Sequence, residues 1–188
     1  MTTAELYKEL NYVNHSREKR LYYANLVIKN PELIPKLLEI LFMVDDKISP
    51  RAAWVLEFMC SRKIEYIVPH LDYFTENIHK VHLDSAVRPV AKICELLTEA
   101  YAIKTNIYIK NVLKEVHKER IIETCFDYMI NDEKVAPKAY SMTTLFKLGK
   151  EYDWVHPELV LILERDFQAQ SAAFKARARH ILKKIKRK

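Results

Sequence analysis

A single glycine in 188 residues is the count that most restricts this chain. Average usage would supply roughly 13. Hairpin turns, phosphate-binding loops and dinucleotide-binding folds need glycine where φ is positive or where backbone must approach a ligand. With Gly149 alone, those architectures are nearly closed to it. Helices joined by short polar corners need almost no glycine, so the expected class is all-α. A hydrophobic content of 49% and a charged content of 30% describe a folded soluble chain rather than a disordered one. The length suits one domain, residues 1–188, with a substantial core.

The clearest helix pair runs from Asn30 to Arg62. Asn30 is a candidate N-cap and Pro31 takes the first helical position, where its missing N–H costs nothing. Leu33, Ile34, Leu37, Leu38, Leu41 and Phe42 keep the spacing of a helix buried on one side. Asp45-Asp46-Lys47 interrupts that pattern, Ser49 is positioned to cap, and Pro50 opens a second helix burying Ala52, Ala53, Val55, Leu56 and Met59. Before it, residues 1–29 read as an N-terminal capping pair, with Thr2 and Glu5 at capping-box spacing. Tyr7, Tyr12, Tyr22 and Tyr23 are expected to seal that end of the core, hydroxyls outward. After it come Ile64–Ile78 with Pro69 inside, then Ser85–Tyr101. A fourth pair is read at 105–113 and 120–130. A fifth contains Pro137–Leu148, ended by Gly149 as a C′ residue, and is followed by Pro157–Phe167 and a basic helix over 170–188.

These units echo one another. Lys47-Ile48-Ser49-Pro50-Arg51-Ala52 returns as Lys134-Val135-Ala136-Pro137-Lys138-Ala139, and Pro31-Glu32-Leu33-Ile34 returns as Pro157-Glu158-Leu159-Val160. Arg51-Ala52 returns 126 residues later as Arg177-Ala178, with Val87-Arg88 between them. Three steps over that distance give a mean period of about 42, within the range of helical repeats. The pattern resembles HEAT or armadillo repeats: a first helix with a proline, an Asp, a basic residue six positions later, then small residues. Asp45 with Arg51 and Asp132 with Lys138 keep that spacing, whereas His82 precedes Arg88 and Ser171 precedes Arg177. The resemblance implies a HEAT-like right-handed α-α superhelix of about five helix pairs. It also implies an Asp–basic ladder between repeats and second helices lining a concave face. On that face it places a candidate binding surface: Arg51, Trp54, Glu57, Phe58, Arg88, Lys92, Lys138 and Arg177.

Charge separates two kinds of partner. Eight basic and no acidic residues fall between Phe167 and Lys188; removing them from the total of 31 leaves 23 basic against 25 acidic in residues 1–166. The positive excess therefore sits on the last helix, in Lys175, Arg179, Lys183, Lys184, Lys186 and Arg187 among others, where it suits a helix C-terminus. A body of net charge −2 is a poor phosphate cradle. Trp54 with Glu57, Phe58 and Arg88 nevertheless resembles the tryptophan, carboxylate and basic set with which HEAT-like DNA glycosylases of the alkylation-repair type hold a damaged nucleotide. That gives the alternative reading. More loosely, the chain is similar to short helical proteins labelled adenylosuccinate lyase. Val135–Ser141 lacks the serine loop and closing Asn-Pro of that enzyme's signature, so no lyase activity is expected.

Other chemistry finds no footing. Cys60, Cys94 and Cys125 form no Cys-x-x-Cys unit and read as packed thiols of a reducing cytoplasm. His79 and His82 share a face without a third ligand, and no Gly-x-Ser-x-Gly occurs, so neither metal nor cofactor is expected. No N-terminal basic-then-apolar signal and no membrane-length apolar run are present. The expectation is a non-enzymatic, cytoplasmic interaction or scaffold module for an unidentified protein partner, without membrane insertion. Nucleic acid is the less favoured partner.

Overall fold

The computed structural model describes residues 1–103 and 105–186. Among them there are eleven α-helices, several 3₁₀ turns and no strand, as the glycine count requires. The first pair is α1 (Thr3–Glu9) and α2 (Arg17–Lys29); the second is α3 (Ile34–Leu41) and α4 (Ser49–Arg62). The third joins α5 (Leu71–Asn77), entered through a 3₁₀ segment at Ile64–His70, to α6 (Asp84–Ala102). After the short α7 (Ile107–Val112) come α8 (Glu115–Ile130) with α9 (Val135–Leu148), and finally α10 (Val155–Asp166) with α11 (Ala172–Ile185). The second helices α2, α4, α6, α9 and α11 pack each against the next in one layer. The first helices form the other, with α1 against α3, α5 against α8, and α8 against α10.

The fourth pair differs from the sequence pattern. Residues 107–112 are only a connector, and the partner of α9 is a helix starting at Glu115 rather than Arg120. Its start escapes notice because no Ser, Thr, Asp or Asn caps it. His117 does so instead: its Nδ1 accepts the Lys114 N–H at 3.2 Å, while Nε2 donates to Asp72 Oδ1 on α5 at 2.6 Å. The buried imidazole thus starts one helix and ties it to the preceding pair. α4, α6, α9 and α11 begin at residues 49, 84, 135 and 172, giving steps of 35, 51 and 37. The mean period near 42 is therefore an average over a lengthened step that contains α7.

The corners depart in detail as well. The Thr2–Glu5 capping box forms. Asn30, however, closes α2 by donating to the Leu26 carbonyl at 2.8 Å instead of capping the next turn. Ser49 also caps nothing, its hydroxyl donating to the Leu41 carbonyl. Asp46 instead closes the turn ahead of α4, accepting the Ile48 N–H at 2.7 Å and the Tyr7 hydroxyl at 2.9 Å. Tyr7 and Tyr23 thus turn their hydroxyls onto carboxylates, Asp46 and Glu9, while Tyr12 and Tyr22 are exposed. Pro69 lies inside the 3₁₀ segment, next to its last residue, and α5 starts afresh at Leu71.

Gly149 is not in the left-handed region, since its φ is −63°. Glycine is required there for space: a Cβ would lie 2.3 Å from His156 Cδ2. His156 stacks on Phe146 and holds the Phe146 carbonyl through Nε2 at 2.9 Å. The three cysteines are buried and free, and burial pushes the Cys60 thiol up.

Gly149→Ala is expected to cost about 1–3 kcal/mol through overpacking, read by urea unfolding, and adding His156→Ala should recover part of the loss. The His117 hydrogen bond holds the Asp72 carboxyl below the usual aspartate range. A lowered folded-state value means the link stabilises fully above about pH 4 and is lost as pH falls through it. The stability difference between wild type and Asp72→Asn should narrow on acidification below about pH 4, and a constant difference would contradict the assignment.

Candidate functional site

Stacking the second helices places the N-terminal ends of α6 and α9 beside side chains of α2 and α4. Between them lies a cleft of about 570 Å³, lined by His15, Arg20, Trp54, Asp84, Ser85, Arg88, Lys134 and the turn Val135–Pro137. Trp54 forms its floor. The indole is 8% exposed, and its Nε1 donates to the Ser85 carbonyl at 2.8 Å, locking the ring between α4 and α6. The His15 ring leans on it at a centroid distance of 4.9 Å. The Arg20 guanidinium lies 5.8 Å from the Trp54 ring centroid and 5.0 Å from that of Phe58, within cation–π range. It is held there by donation from Nη2 to the His15 carbonyl at 2.7 Å and from Nε to the Ser16 carbonyl at 3.4 Å.

The charges of the cleft are largely internal pairs. Arg88 grips Glu57 with both terminal nitrogens, at 3.0 and 2.7 Å, so the buried carboxylate is neutralised. Lys134 meets Asp84 at 2.7 Å, and that hydrogen bond and charge hold its ammonium above the usual lysine range. Arg20 has no carboxylate within ion-pair distance among the described residues.

Of the expected surface, Trp54 and Arg88 line the cleft, with Glu57 and Phe58 directly behind them. The other four lie elsewhere and reach neighbours instead. Arg51 donates to the Leu10 and Asn11 carbonyls of the first pair at 3.2 and 2.5 Å. Lys92 bonds Glu95 at 2.6 Å and sits over the Tyr140 ring of α9. Lys138 is 4% exposed and lies near Glu133, whose carboxyl burial holds above the usual glutamate range, and near Asp166, which the Arg165 hydrogen bond holds below the usual aspartate range. Arg177 reaches the Thr143 hydroxyl of α9 at 3.4 Å. Arg51, Arg88, Lys92 and Arg177 therefore bridge the four junctions between successive pairs. They do so without the anticipated Asp partners: the highly exposed Asp45 takes His82 at 3.2 Å.

The basic helix is similarly engaged. Lys175 donates to the Gln168 carbonyl, Arg179 lies over Phe167, Lys184 lies over Phe146, and Lys186 pairs with Glu164. Lys183 is exposed, and Arg187 lies outside the described residues. Val135–Ser141, the stretch set against the lyase signature, is the first half of α9. Among the described residues no cluster of three His, Cys, Asp or Glu side chains is arranged for a metal ion. Nor is any helix long and apolar enough to cross a membrane.

His15, Arg20, Asp84 and Lys134 were not visible as site residues. The start of α2 reads as solvated polar chain, and only the packing of α2 on α4 brings Arg20 over Trp54. Lys134 carried a signal, since it echoes Lys47 at the entry to a second helix. Arg88→Met should strand the Glu57 carboxylate and cost ~2–3 kcal/mol in urea unfolding, below the ~3–5 of a wholly buried pair because Arg88 is partly exposed. Arg88→Met with Glu57→Leu should restore most of it.

A family model described as a HEAT repeat domain matches residues 7–185. No curated protein and no solved structure matches the chain. The matched span takes in all five pairs from within α1 to the end of α11, so the chain belongs to the HEAT repeat domain family.

Proposed function

We propose that this chain is a non-enzymatic interaction module that binds a protein partner along its second-helix layer. The observation that carries the reading is the cleft itself, which draws side chains from α2, α4, α6 and α9. An extended segment lying there would be read by four consecutive pairs at once, from rigid helices already locked to one another. HEAT repeats commonly mediate protein interactions, which supports the same reading. Two of the three strong cations of the cleft are neutralised internally, and the body is slightly acidic, so a polyanionic backbone gains little there.

A second reading, nucleic-acid binding of the alkylation-repair glycosylase type, has one observation in its favour: Trp54 stands beside Arg20 and Arg88 in an open cleft.

Peptide display against the immobilised full chain, followed by hydrogen exchange with a selected peptide, separates the two. The expected result is protection confined to α2, α4 and the first turns of α6 and α9. Failure to enrich any peptide overturns the interaction-module reading. So does tight, steeply salt-dependent binding of a labelled duplex that persists in Lys183→Gln/Lys184→Gln, which would favour the second reading.

A further inference from the structure

We propose that the Trp54 cleft recognises a carboxylate side chain, Asp or Glu, on an extended segment of the protein partner, with Arg20 as the receiving group. This rests on the interaction-module reading and names the chemistry of its site.

The charge balance of the cleft singles out Arg20. Arg88 is spent on Glu57 and Lys134 on Asp84, whereas Arg20 faces no acid within ion-pair distance among the described residues. Its guanidinium is nonetheless fixed. Nε and one Nη2 hydrogen go to the Ser16 and His15 carbonyls, and the plane is backed by the Trp54 and Phe58 rings. Of the five N–H groups of a guanidinium, both on Nη1 and one on Nη2 are left over. That is the edge with which arginine takes a carboxylate in a bidentate fork. Holding an arginine in place before binding also lowers the ordering cost of recognition. Trp54 offers the methylene stem of a Glu or Asp an apolar floor, and the exposed His15 imidazole supplies a second polar contact at its rim. Among the described residues Asp84 is the one acid lining the cleft, and it is already held by Lys134.

The test uses fluorescence anisotropy of the full chain with a fluorescein-labelled peptide of alternating glutamate and leucine. Controls are its glutamine counterpart and a single-stranded oligonucleotide of equal length. The glutamate peptide is expected to bind, and Arg20→Gln to weaken it on the order of tenfold to a hundredfold. Ser85→Asp provides a variant that leaves Arg20 and its stacking intact. It sets a carboxylate at the exposed lip, where an acidic residue suits the first turn of α6, and it should weaken binding comparably while unfolding as wild type does. Equal binding of the glutamate and glutamine peptides overturns the proposal, as does binding unaffected by either substitution. An Arg20-dependent preference for the oligonucleotide also overturns it. If display enriches peptides that lack acidic residues and ignore Arg20→Gln, this inference falls while the interaction-module reading stands. If display enriches nothing, that reading falls with it.

Discussion

The structure depends on a constraint that no single pair can satisfy: the inner second helices α4, α6 and α9 must each be covered on two sides at once. α6 shows it best. Ala86, Val87, Val90, Ala91, Ile93, Cys94 and Leu97 are all buried, more of its circumference than one partner could cover, because α4 lies on one flank and α9 on the other. Small residues at 86 and 91 let those neighbours approach. Burial on this scale also draws polar groups inward, and Glu57, Glu95 and His117 are each buried with a bonded partner. An unpartnered carboxylate at such a place would cost several kcal/mol. The ion pairs are therefore a consequence of the stacking as much as a cause of it.

This gives the basic residues of the second helices their meaning. Arg51, Arg88, Lys92 and Arg177 recur because every junction needs donors for carbonyls, carboxylates or ring faces that the next pair covers. Their regular recurrence invites reading them as a binding surface. Arg20 is likewise held by carbonyl oxygens and ring faces, and what sets it apart from Arg88 is that among the described residues no carboxylate pairs with it.

Much of the architecture was legible because helix periodicity and proline punctuation are local. The single glycine argued against sheets, Pro31, Pro50, Pro137 and Pro157 marked helix entries, and the echo of Lys47–Ala52 at Lys134–Ala139 matched two second-helix starts. What failed was non-local. The start of α8 rests on a buried histidine whose second partner lies 45 residues away. Gly149 answers to a ring seven positions later rather than to its own backbone angle. Four of the eight residues of the expected surface gather at or behind the cleft and four lie elsewhere, for one reason. Trp54, Glu57, Phe58 and Arg88 lie on α4 and α6, whose faces a repeat pattern predicts, whereas Arg20 and His15 reach the cleft only through the docking of α2.

That docking makes the cleft depend on a single junction, the one between α2 and α4. The first pair is joined to the rest of the molecule through that junction, and arrays of helix pairs open junction by junction as well as globally. Arg20 and His15 reside on that pair and Trp54 on the next, so every fluctuation that lifts α2 also dismantles the cleft. A ligand held across the junction would oppose the opening by mass action. A partner bound as proposed would make the cleft a clasp: an occupied site would be a closed first junction, and the free energy of binding would fasten the first pair to the rest of the molecule.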